Sequence, residues 1–250
     1  MHPILFKIGP ITIFTYGATI AVSFLVCSFL IWRNAPLVGI SRKKMLDFAI
    51  VILISGIIGA RFLHVVLNLD YYKGNLFEIF LITRGGLAFQ GAIIFSFVSG
   101  IIFSKINSIP IWQAGDLIAP YAALGQAIGR IGCYLNGCCY GKGILVPQFG
   151  VIFPGDNITR LPVQLYAALV LLFIYCILRF MLEKRIFRDS LILLYFMMFS
   201  FQRFFLDFLR ADLKVSYFSL TVSQNISIVV FFLSLAVFTW KRFNGGHAKI

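Results

Sequence analysis

The chain has 250 residues, of which 60% are hydrophobic and only 12% are charged. A soluble domain of this length keeps a polar surface, so the composition excludes a cytosolic enzyme, a disordered chain and a secreted disulfide scaffold. The net charge of +13 would suggest a nucleic-acid partner in a soluble protein. In a membrane protein, basic cytoplasmic loops explain the same excess, and we therefore expect membrane lipids and no nucleic acid as partners.

Seven apolar runs approach the length of about 20 residues that a membrane-spanning helix needs. They lie at 11–32, 45–67, 87–104, 111–129, 163–180, 191–208 and 222–240. We expect the fourth run to be interrupted, because it contains Asp116 and Pro120. The first run is too long for the apolar part of a signal peptide and is predicted to stay in the mature chain.

The lysines and arginines cluster in alternate connections between these runs. The clustered residues lie at 33–44, 105, 179–188 and 241–249. Basic loops face the cytoplasm, which places the N-terminus outside the cytoplasm and the C-terminus inside it. We therefore predict an all-α membrane protein with seven transmembrane helices. It forms a single domain over 1–250, with a glycine-rich extracytoplasmic segment at about 130–162.

Several arginines fall inside or at the edge of the apolar runs, where a charge at mid-bilayer costs roughly 2.5–3.5 kcal/mol. Arg203, Asp207 and Arg210 are spaced i, i+4 and i+7, which puts them on one face of a helix. One interpretation is a buried ion pair that holds helices together, with Arg210 as an anchor at the helix end. The other is a phosphate site, because the planar guanidinium donates two parallel hydrogen bonds and stays charged. Arg61 and Arg130 occupy comparable places in other runs.

Glycine concentrates around Arg130, since residues 115–143 contain seven of the 21 glycines. Close helix packing explains some of these glycines. It does not explain the arginine among them or the polar run from Asn136 to Gly141, where glycines permit sharp turns. We therefore expect Arg130 to be presented from a bent, glycine-lined backbone.

Two glutamines stand near the starts of apolar runs, where an unpaired amide is costly. Gln90 follows a basic loop with paired glycines, and Gln164 follows Arg160 and Pro162. Each glutamine either joins helices through hydrogen bonds or belongs to a binding site.

Three cysteines, Cys133, Cys138 and Cys139, lie in the glycine-rich segment. A structural zinc site uses four cysteine or histidine ligands, and His64 is the only histidine away from the two ends of the chain. We therefore expect no metal site, and the oxidation state of these thiols stays open.

These motifs together resemble those of the bacterial prolipoprotein diacylglyceryl transferase family, over nearly the whole chain. The strongest likeness is the run GRIGCYLNGCCYG from Gly129 to Gly141, which is similar to the family signature. The other matching segments are 8–10, 16–17, 59–61, 84–91, 116–120, 162–166 and 203–210.

The resemblance implies a seven-helix protein of the bacterial inner membrane whose active site faces the outer leaflet. It implies a transferase that moves the diacylglyceryl group of phosphatidylglycerol to a cysteine thiol of a prolipoprotein and releases glycerol phosphate. That cysteine belongs to the lipobox of the signal peptide. The resemblance implies neither a metal nor an organic cofactor.

The resemblance also assigns site residues by position. Arg130 matches the arginine that contacts the phospholipid, and Arg203 matches the arginine essential to the transfer step. Tyr16 and Gln90 complete the expected catalytic set. The expected substrate-binding residues are Arg130, Arg61, Asp116, Asn136, Gly141, Gln164, Asp207 and Arg210.

The chain departs from the family pattern at several polar positions. Many members have a histidine where this chain has Gln90, and an amide accepts no proton near neutral pH. Cys138, Leu161 and Phe199 replace a glutamate, a histidine and a tyrosine. Tyr16 and His64 remain as candidate proton acceptors.

Two alternatives stay open on the sequence alone. One is a divergent transferase that uses another lipid or acceptor, which the missing histidines would fit. The other is a non-catalytic phospholipid-binding or transport protein that keeps the arginines without the chemistry. The sequence also leaves open the general base, the acyl-chain preference and the oligomeric state.

Overall fold

The computed structural model describes residues 2–8, 11–74, 76–81, 86–144, 150–155, 157–213 and 219–245. The described α-helices are α1 (Thr15–Asn34), α2 (Arg42–Leu67), α3 (Leu69–Tyr72), α4 (Phe89–Ile106), α5 (Ile111–Asn136), α6 (Val163–Glu183), α7 (Leu191–Asp207) and α8 (Val222–Gly245). Short strands form two antiparallel pairs, β1 (Ile4–Ile8) with β2 (Ile11–Phe14) and β3 (Val151–Ile152) with β4 (Thr159–Arg160). Two 3-10 helices cover Ala35–Val38 and Leu76–Phe80.

One long helix covers most of each of the seven predicted apolar runs. Within the described ranges, four helices are both long and apolar enough to cross a membrane, at Thr15–Val38, Arg42–Leu67, Val163–Glu183 and Val222–Asn244. A shorter apolar helix covers Gln90–Ile106. The structure therefore confirms a mostly helical membrane protein, whereas seven crossings and the orientation of the two ends stay predictions.

The first helix begins later than predicted. Residues Ile11–Phe14 form β2, which pairs antiparallel with β1, and α1 begins at Thr15. The sequence Ile-Thr-Ile-Phe places alternate side chains on opposite faces of a strand and carries β-branched residues that favour strands. The apolar run at 11–32 thus contains both a strand and a helix.

The fourth helix is longer and more regular than predicted. α5 runs without interruption from Ile111 to Asn136 and contains Pro120 in its interior. Proline removes one backbone hydrogen bond, but Pro120 is fully buried, and its packing in the core offsets that loss. Arg130 therefore lies in a regular helix, and the expected bend begins only at Gly137, whose φ is +73°.

Asp116, near the start of α5, holds the first turn of α7. Its buried Oδ1 accepts hydrogen bonds from the backbone N–H groups of Leu191 (2.7 Å) and Ile192 (3.2 Å). The first N–H groups of a helix have no partner inside the helix, and a carboxylate there also complements the helix dipole. This contact explains why a carboxylate is kept in an apolar helix.

The contacts within the chain divide it into two compact units, one of residues 1–31 and 115–250 and the other of residues 32–114. In the first unit, α1 lies against the glycine side of α5. The Ser23 hydroxyl donates to the carbonyl of Gly125 at 3.0 Å, and the Cys27 thiol donates to the carbonyl of Tyr121 at 3.2 Å. A small residue at position 125 leaves room for this approach.

α8 begins with a capping box. The Thr221 backbone N–H donates to Oε1 of Gln224 at 2.9 Å, and the Gln224 N–H donates to Oγ1 of Thr221 at 3.2 Å. This reciprocal pair satisfies N–H groups that the first turn leaves open. It fixes the start of α8 beside the end of α7, where the candidate site lies.

In the second unit, α2 and α4 pack closely through glycines. A Cβ atom on Gly91 would overlap the carbonyl oxygen of Gly59, and a Cβ atom on Gly59 would overlap the side chain of Phe95. Next to this contact, the hydroxyls of Ser55 and Ser99 share a hydrogen bond of 2.7 Å. The two helices can approach this closely only where side chains are missing or small.

Replacing Gly91 by Ala is expected to destabilise the second unit by about 1–3 kcal/mol, because the new methyl group meets backbone that cannot rotate away. The measurement is the free energy of unfolding in detergent micelles. Gly74→Ala is the matched control, because open space surrounds a Cβ at Gly74. Equal stabilities of the two variants would contradict the close approach of α2 and α4.

Candidate functional site

A narrow polar cleft in the first unit brings together arginines from two helices and the turn that follows one of them. Its lining residues are Arg130, Cys139, Val163, Gln164, Ala167, Gln202, Arg203, Leu206, Asp207 and Arg210. We call it the arginine cleft. Its free volume of about 10 Å³ is that of a single water molecule, so a larger ligand must move side chains to enter.

Asp207 lies at the centre of the charges in this cleft. Its side chain is fully buried, and Oδ1 lies 3.3 Å from Nε of Arg203 and 4.0 Å from Nη1 of Arg210. Its Oδ2 accepts a hydrogen bond from the hydroxyl of Ser223 in the first turn of α8. The N-terminus of α8 adds a helix dipole that favours the negative charge of this carboxylate. The three charges lie together, as their spacing in the sequence predicted.

Arg210 is held by a second carboxylate outside the helix. It donates from Nε to Oδ1 of Asp212 at 2.9 Å and from Nη2 to Oδ2 at 2.6 Å. This paired hydrogen bond holds the pKa of the Asp212 carboxyl below its usual range. The guanidinium of Arg210 is therefore nine-tenths buried and fixed in place, which differs from the expected anchor at a helix end.

The glycine-rich segment is joined to the end of α7 next to Arg210. Gly141 and Arg210 form an antiparallel backbone bridge, and the Lys142 N–H donates to the carbonyl of Leu209 at 2.8 Å. A Cβ atom on Gly141 would lie 2.6 Å from Cγ2 of Val163 and 2.8 Å from the carbonyl oxygen of Leu161. Gly141 is thus required for close packing beneath the cleft.

Arg130 differs from the other two arginines. It is half-buried near the end of α5 and interacts electrostatically with Arg203 and with Tyr16. No ion pair or hydrogen bond of its guanidinium is found among the described residues. Three described arginines against Asp207 and Asp212 leave one positive charge, which suits a singly charged phosphodiester.

Two buried amides add hydrogen-bond acceptors to the cleft. Nε2 of Gln164 donates to the carbonyl of Cys138 at 2.6 Å, while its Oε1 has no hydrogen-bond partner within the described ranges. Oε1 of Gln202 is also unpartnered there. A buried polar atom without a partner costs about 1–3 kcal/mol, so a ligand with hydroxyl donors would gain energy here.

Gln202 and Cys139 line the cleft, although neither was among the predicted site residues. The sequence signal for Gln202 was an amide beside Arg203 in an otherwise apolar run. An amide in that setting needs a hydrogen-bond partner from the protein. The position of Cys139 had no signal of its own, because only the turn after α5 directs its side chain toward the arginines. A positive φ of 63° at Cys139 accompanies that turn.

Three other predicted residues of the first unit do not line the cleft. Tyr16 is exposed at the start of α1 and interacts electrostatically with Arg130. Asn136 ends α5 and hydrogen-bonds through its side chain to the Cys138 thiol. Asp116 binds the first turn of α7, whereas the cleft lies at the last turn, so the structure assigns it a contact between helices.

Arg61 and Gln90 belong to the second unit. Arg61 is buried and donates from Nε to the carbonyl of Ile79 at 2.7 Å and from Nη1 to that of Gly86 at 2.9 Å. Its guanidinium also lies over the ring of Tyr72, at 5.4 Å. These contacts tie a loop to α2, which is a structural task for an arginine predicted to bind substrate. Gln90 is exposed in the first turn of α4.

The sequence matches one protein family along almost its full length. The family model described as prolipoprotein diacylglyceryl transferase matches residues 3–240. The chain belongs to this family.

Similar proteins bear the name phosphatidylglycerol–prolipoprotein diacylglyceryl transferase. One from Listeria monocytogenes serotype 4a is 32% identical over 97% of this chain and 90% of its own length. One from Clostridium tetani is 31% identical over 97% of this chain and 99% of its own length. One from Bacillus licheniformis is 29% identical over the whole chain and 96% of its own length.

We expect Asp207→Asn to lower the free energy of unfolding by about 3–5 kcal/mol, because two largely buried guanidinium groups lose their shared negative charge. The measurement is unfolding in detergent micelles. Glu183→Gln is the control, since Glu183 forms a 2.7 Å ion pair with Arg179 but is 53% exposed. That change is expected to cost at most about 1 kcal/mol. Similar losses in both variants would argue against a buried charge centre.

Proposed function

We propose that this protein transfers the diacylglyceryl group of phosphatidylglycerol to the lipobox cysteine thiol of prolipoproteins. Membership of the family and the names of its relatives support this transferase activity. The structural observation that carries the proposal is the arginine cleft, in which Arg130 lies beside Arg203 and has no carboxylate partner among the described residues. If the arginines of the cleft only held helices together, each would be expected to pair with a carboxylate.

The arginine cleft fits the leaving group of this reaction. The thiolate sulfur attacks the glyceryl carbon, a C–S bond forms, and the C–O bond to phosphate breaks. The bonding electrons leave with glycerol phosphate, so negative charge grows on the phosphate oxygens. The guanidinium groups of Arg203 and Arg210 already lie beside Asp207, and they stabilise that charge once the entering phosphate has moved the side chains that close the cleft.

The proton of the attacking thiol is lost before or during this step. Gln90, at the position of the family's histidine, cannot accept it. An electropositive cleft lowers the pKa of an incoming thiol below its free value of about 8.5, which raises the thiolate fraction. We propose that Arg130 and Arg203 serve this second purpose, so that the thiol can lose its proton to water before the attack.

A second observation supports a lipid substrate. An apolar groove of about 440 Å³ runs along α6, α7 and α8 and shares Gln202 and Leu206 with the arginine cleft. Phe173, Phe201 and Phe231 are among its lining residues. A lipid with its phosphate in the cleft would place its acyl chains along this groove.

We propose seven membrane crossings in a bacterial inner membrane, with the arginine cleft at the outer leaflet. The cleft lies at the first turn of α6 and the last turn of α7. The basic connection at 179–188 lies at the opposite ends of these two helices. Basic connections face the cytoplasm, which supports an outward-facing cleft, an outside N-terminus and a cytoplasmic C-terminus.

Arg130→Ala and Arg203→Ala are expected to lower transfer about 10²–10³-fold, because each removes a donor to the growing phosphate charge. The assay follows labelled diacylglycerol from phosphatidylglycerol vesicles to a lipobox peptide. Arg188→Ala, at an exposed residue of the cytoplasmic connection, is the control. Folding is checked by thermal unfolding. Transfer by well-folded Arg130→Ala within twofold of the control would overturn the proposed role.

Restoration of lipoprotein maturation distinguishes this proposal from its two alternatives. We expect the chain to rescue a bacterial cell that is depleted of its own transferase, because the cleft keeps both arginines. Arg130→Ala expressed at an equal level is the control and should fail. Absence of rescue by the unchanged protein, with normal membrane insertion, would favour a different acceptor or a binding role.

A further inference from the structure

The turn after α5 gathers three cysteines at one point. The sulfur atoms of Cys133, Cys138 and Cys139 all lie within 4.8 Å of one another, and none of them is in a disulfide. We call these three residues the thiol cluster. Cys133 is buried on the last turn of α5, and the other two are half-buried in the turn.

The backbone builds this convergence. The N–H of Gly137 donates to the carbonyl of Tyr134, and the N–H of Cys138 donates to the carbonyl of Cys133, each at 3.1 Å. Gly137 and Cys139 both have positive φ values, +73° and +63°. That conformation is uncommon for a residue with a side chain, and such strain persists where the surroundings require it. In this turn, the backbone conformation directs the thiols of Cys138 and Cys139 toward Cys133.

We propose that the thiol cluster binds a thiophilic metal ion of the Zn²⁺ class and that the bound ion inhibits the arginine cleft. Sulfur donors select soft or borderline d¹⁰ ions, and the cluster contains no carboxylate that would favour Mg²⁺ or Ca²⁺. In a tetrahedral site with Zn–S bonds of about 2.3 Å, sulfur atoms lie about 3.8 Å apart. The three sulfurs, all within 4.8 Å of one another, lie close to that separation.

Three protein ligands leave the fourth position of a tetrahedral ion open to water. Closed structural zinc sites have four protein ligands, so this arrangement suits an ion that exchanges with its surroundings. The sequence argued against zinc because a fourth ligand was missing. The proposal departs from that expectation, since the sulfur atoms of the three thiols already converge in the structure.

The inhibition follows from charge and position, and it rests on the proposed function. Cys139 belongs both to the thiol cluster and to the lining of the arginine cleft. A Zn²⁺ ion with three thiolates carries one net negative charge. It therefore cancels the one positive charge left over in the cleft and competes with the phosphate group for Arg130 and Arg210.

Metal binding is tested on the full chain in detergent micelles, reduced and stripped of metal. Cd²⁺ is added as the probe, and the thiolate-to-metal absorption in the ultraviolet is followed, with Zn²⁺ as the competitor. We expect one ion per chain and at least a tenfold loss of affinity in Cys133→Ser and in Cys138→Ser. Cys176→Ser, outside the cluster, should bind as the unchanged protein does.

Two results would overturn the metal site. One is the absence of one-to-one binding by the reduced protein. The other is equal affinity in the unchanged protein and in Cys138→Ser, with both shown to be folded by thermal unfolding. Using two serine variants keeps the test decisive if the buried Cys133 position does not tolerate the change.

Inhibition is tested separately in the vesicle transfer assay. One equivalent of Zn²⁺ should lower transfer at least tenfold, and a chelator should restore it. In Cys138→Ser, the transfer rate with Zn²⁺ should stay close to the rate of the same variant without metal. If Zn²⁺ binds without lowering transfer, the proposed inhibition of the arginine cleft is overturned. Absence of transfer by the metal-free protein would overturn the proposed function, while the Cd²⁺ titration would still decide the site.

Discussion

The buried carboxylate of Asp207 is the contact on which the candidate site depends. It lies between Arg203 and Arg210 and accepts a hydrogen bond from Ser223 at Oδ2, so it joins α7 to α8. Its Oδ1 forms ion pairs with both guanidinium groups and no hydrogen bond within the described residues. Without it, two positive charges would lie in a site with little water, and the cost of removing them from water would move them apart. Preorganisation of the cleft is therefore an electrostatic property of one aspartate.

The same contacts bear on both interpretations of the arginines, the structural ion pair and the anion site, and the anion site stays a proposal. Two of the cleft's arginines do have carboxylate partners, since Asp207 and Asp212 hold them in fixed positions. The decisive residue is Arg130, which brings a third guanidinium to the cleft without an ion pair among the described residues. Arginines bound to carboxylates can still serve a ligand, because each guanidinium carries five donors and these pairs use only some of them. The cleft is thus a network of ion pairs in which some guanidinium N–H groups remain available for a ligand.

Sequence patterns located the long helices well, because runs of apolar residues near the length of a bilayer have few other structures open to them. They failed where local and tertiary effects compete. Ile11–Phe14 carries the alternation of a strand, and its pairing with β1 overrides the apolar run. Pro120 suggested an interruption, but burial in the core keeps α5 continuous and carries Arg130 into regular helix. The spacing of Arg203, Asp207 and Arg210 was informative because the periodicity of an α-helix is the same in every protein and puts residues of this spacing on one face.

By itself, the sequence determined the membrane character, the approximate positions of the helices, the family and the placing of Arg203, Asp207 and Arg210 on one helix face, because these depend on composition and on distances of a few residues. Only the tertiary structure decided which polar residues share a cleft. It assigned Asp116 and Arg61 to contacts between elements, and it brought Gln202 and Cys139 to the cleft. It also gathered three thiols at one point. The physical reason for the cleft is that a side chain's partner depends on which helix ends meet, and no local pattern of residues specifies that. The thiols converge instead through the backbone conformation of the turn after α5.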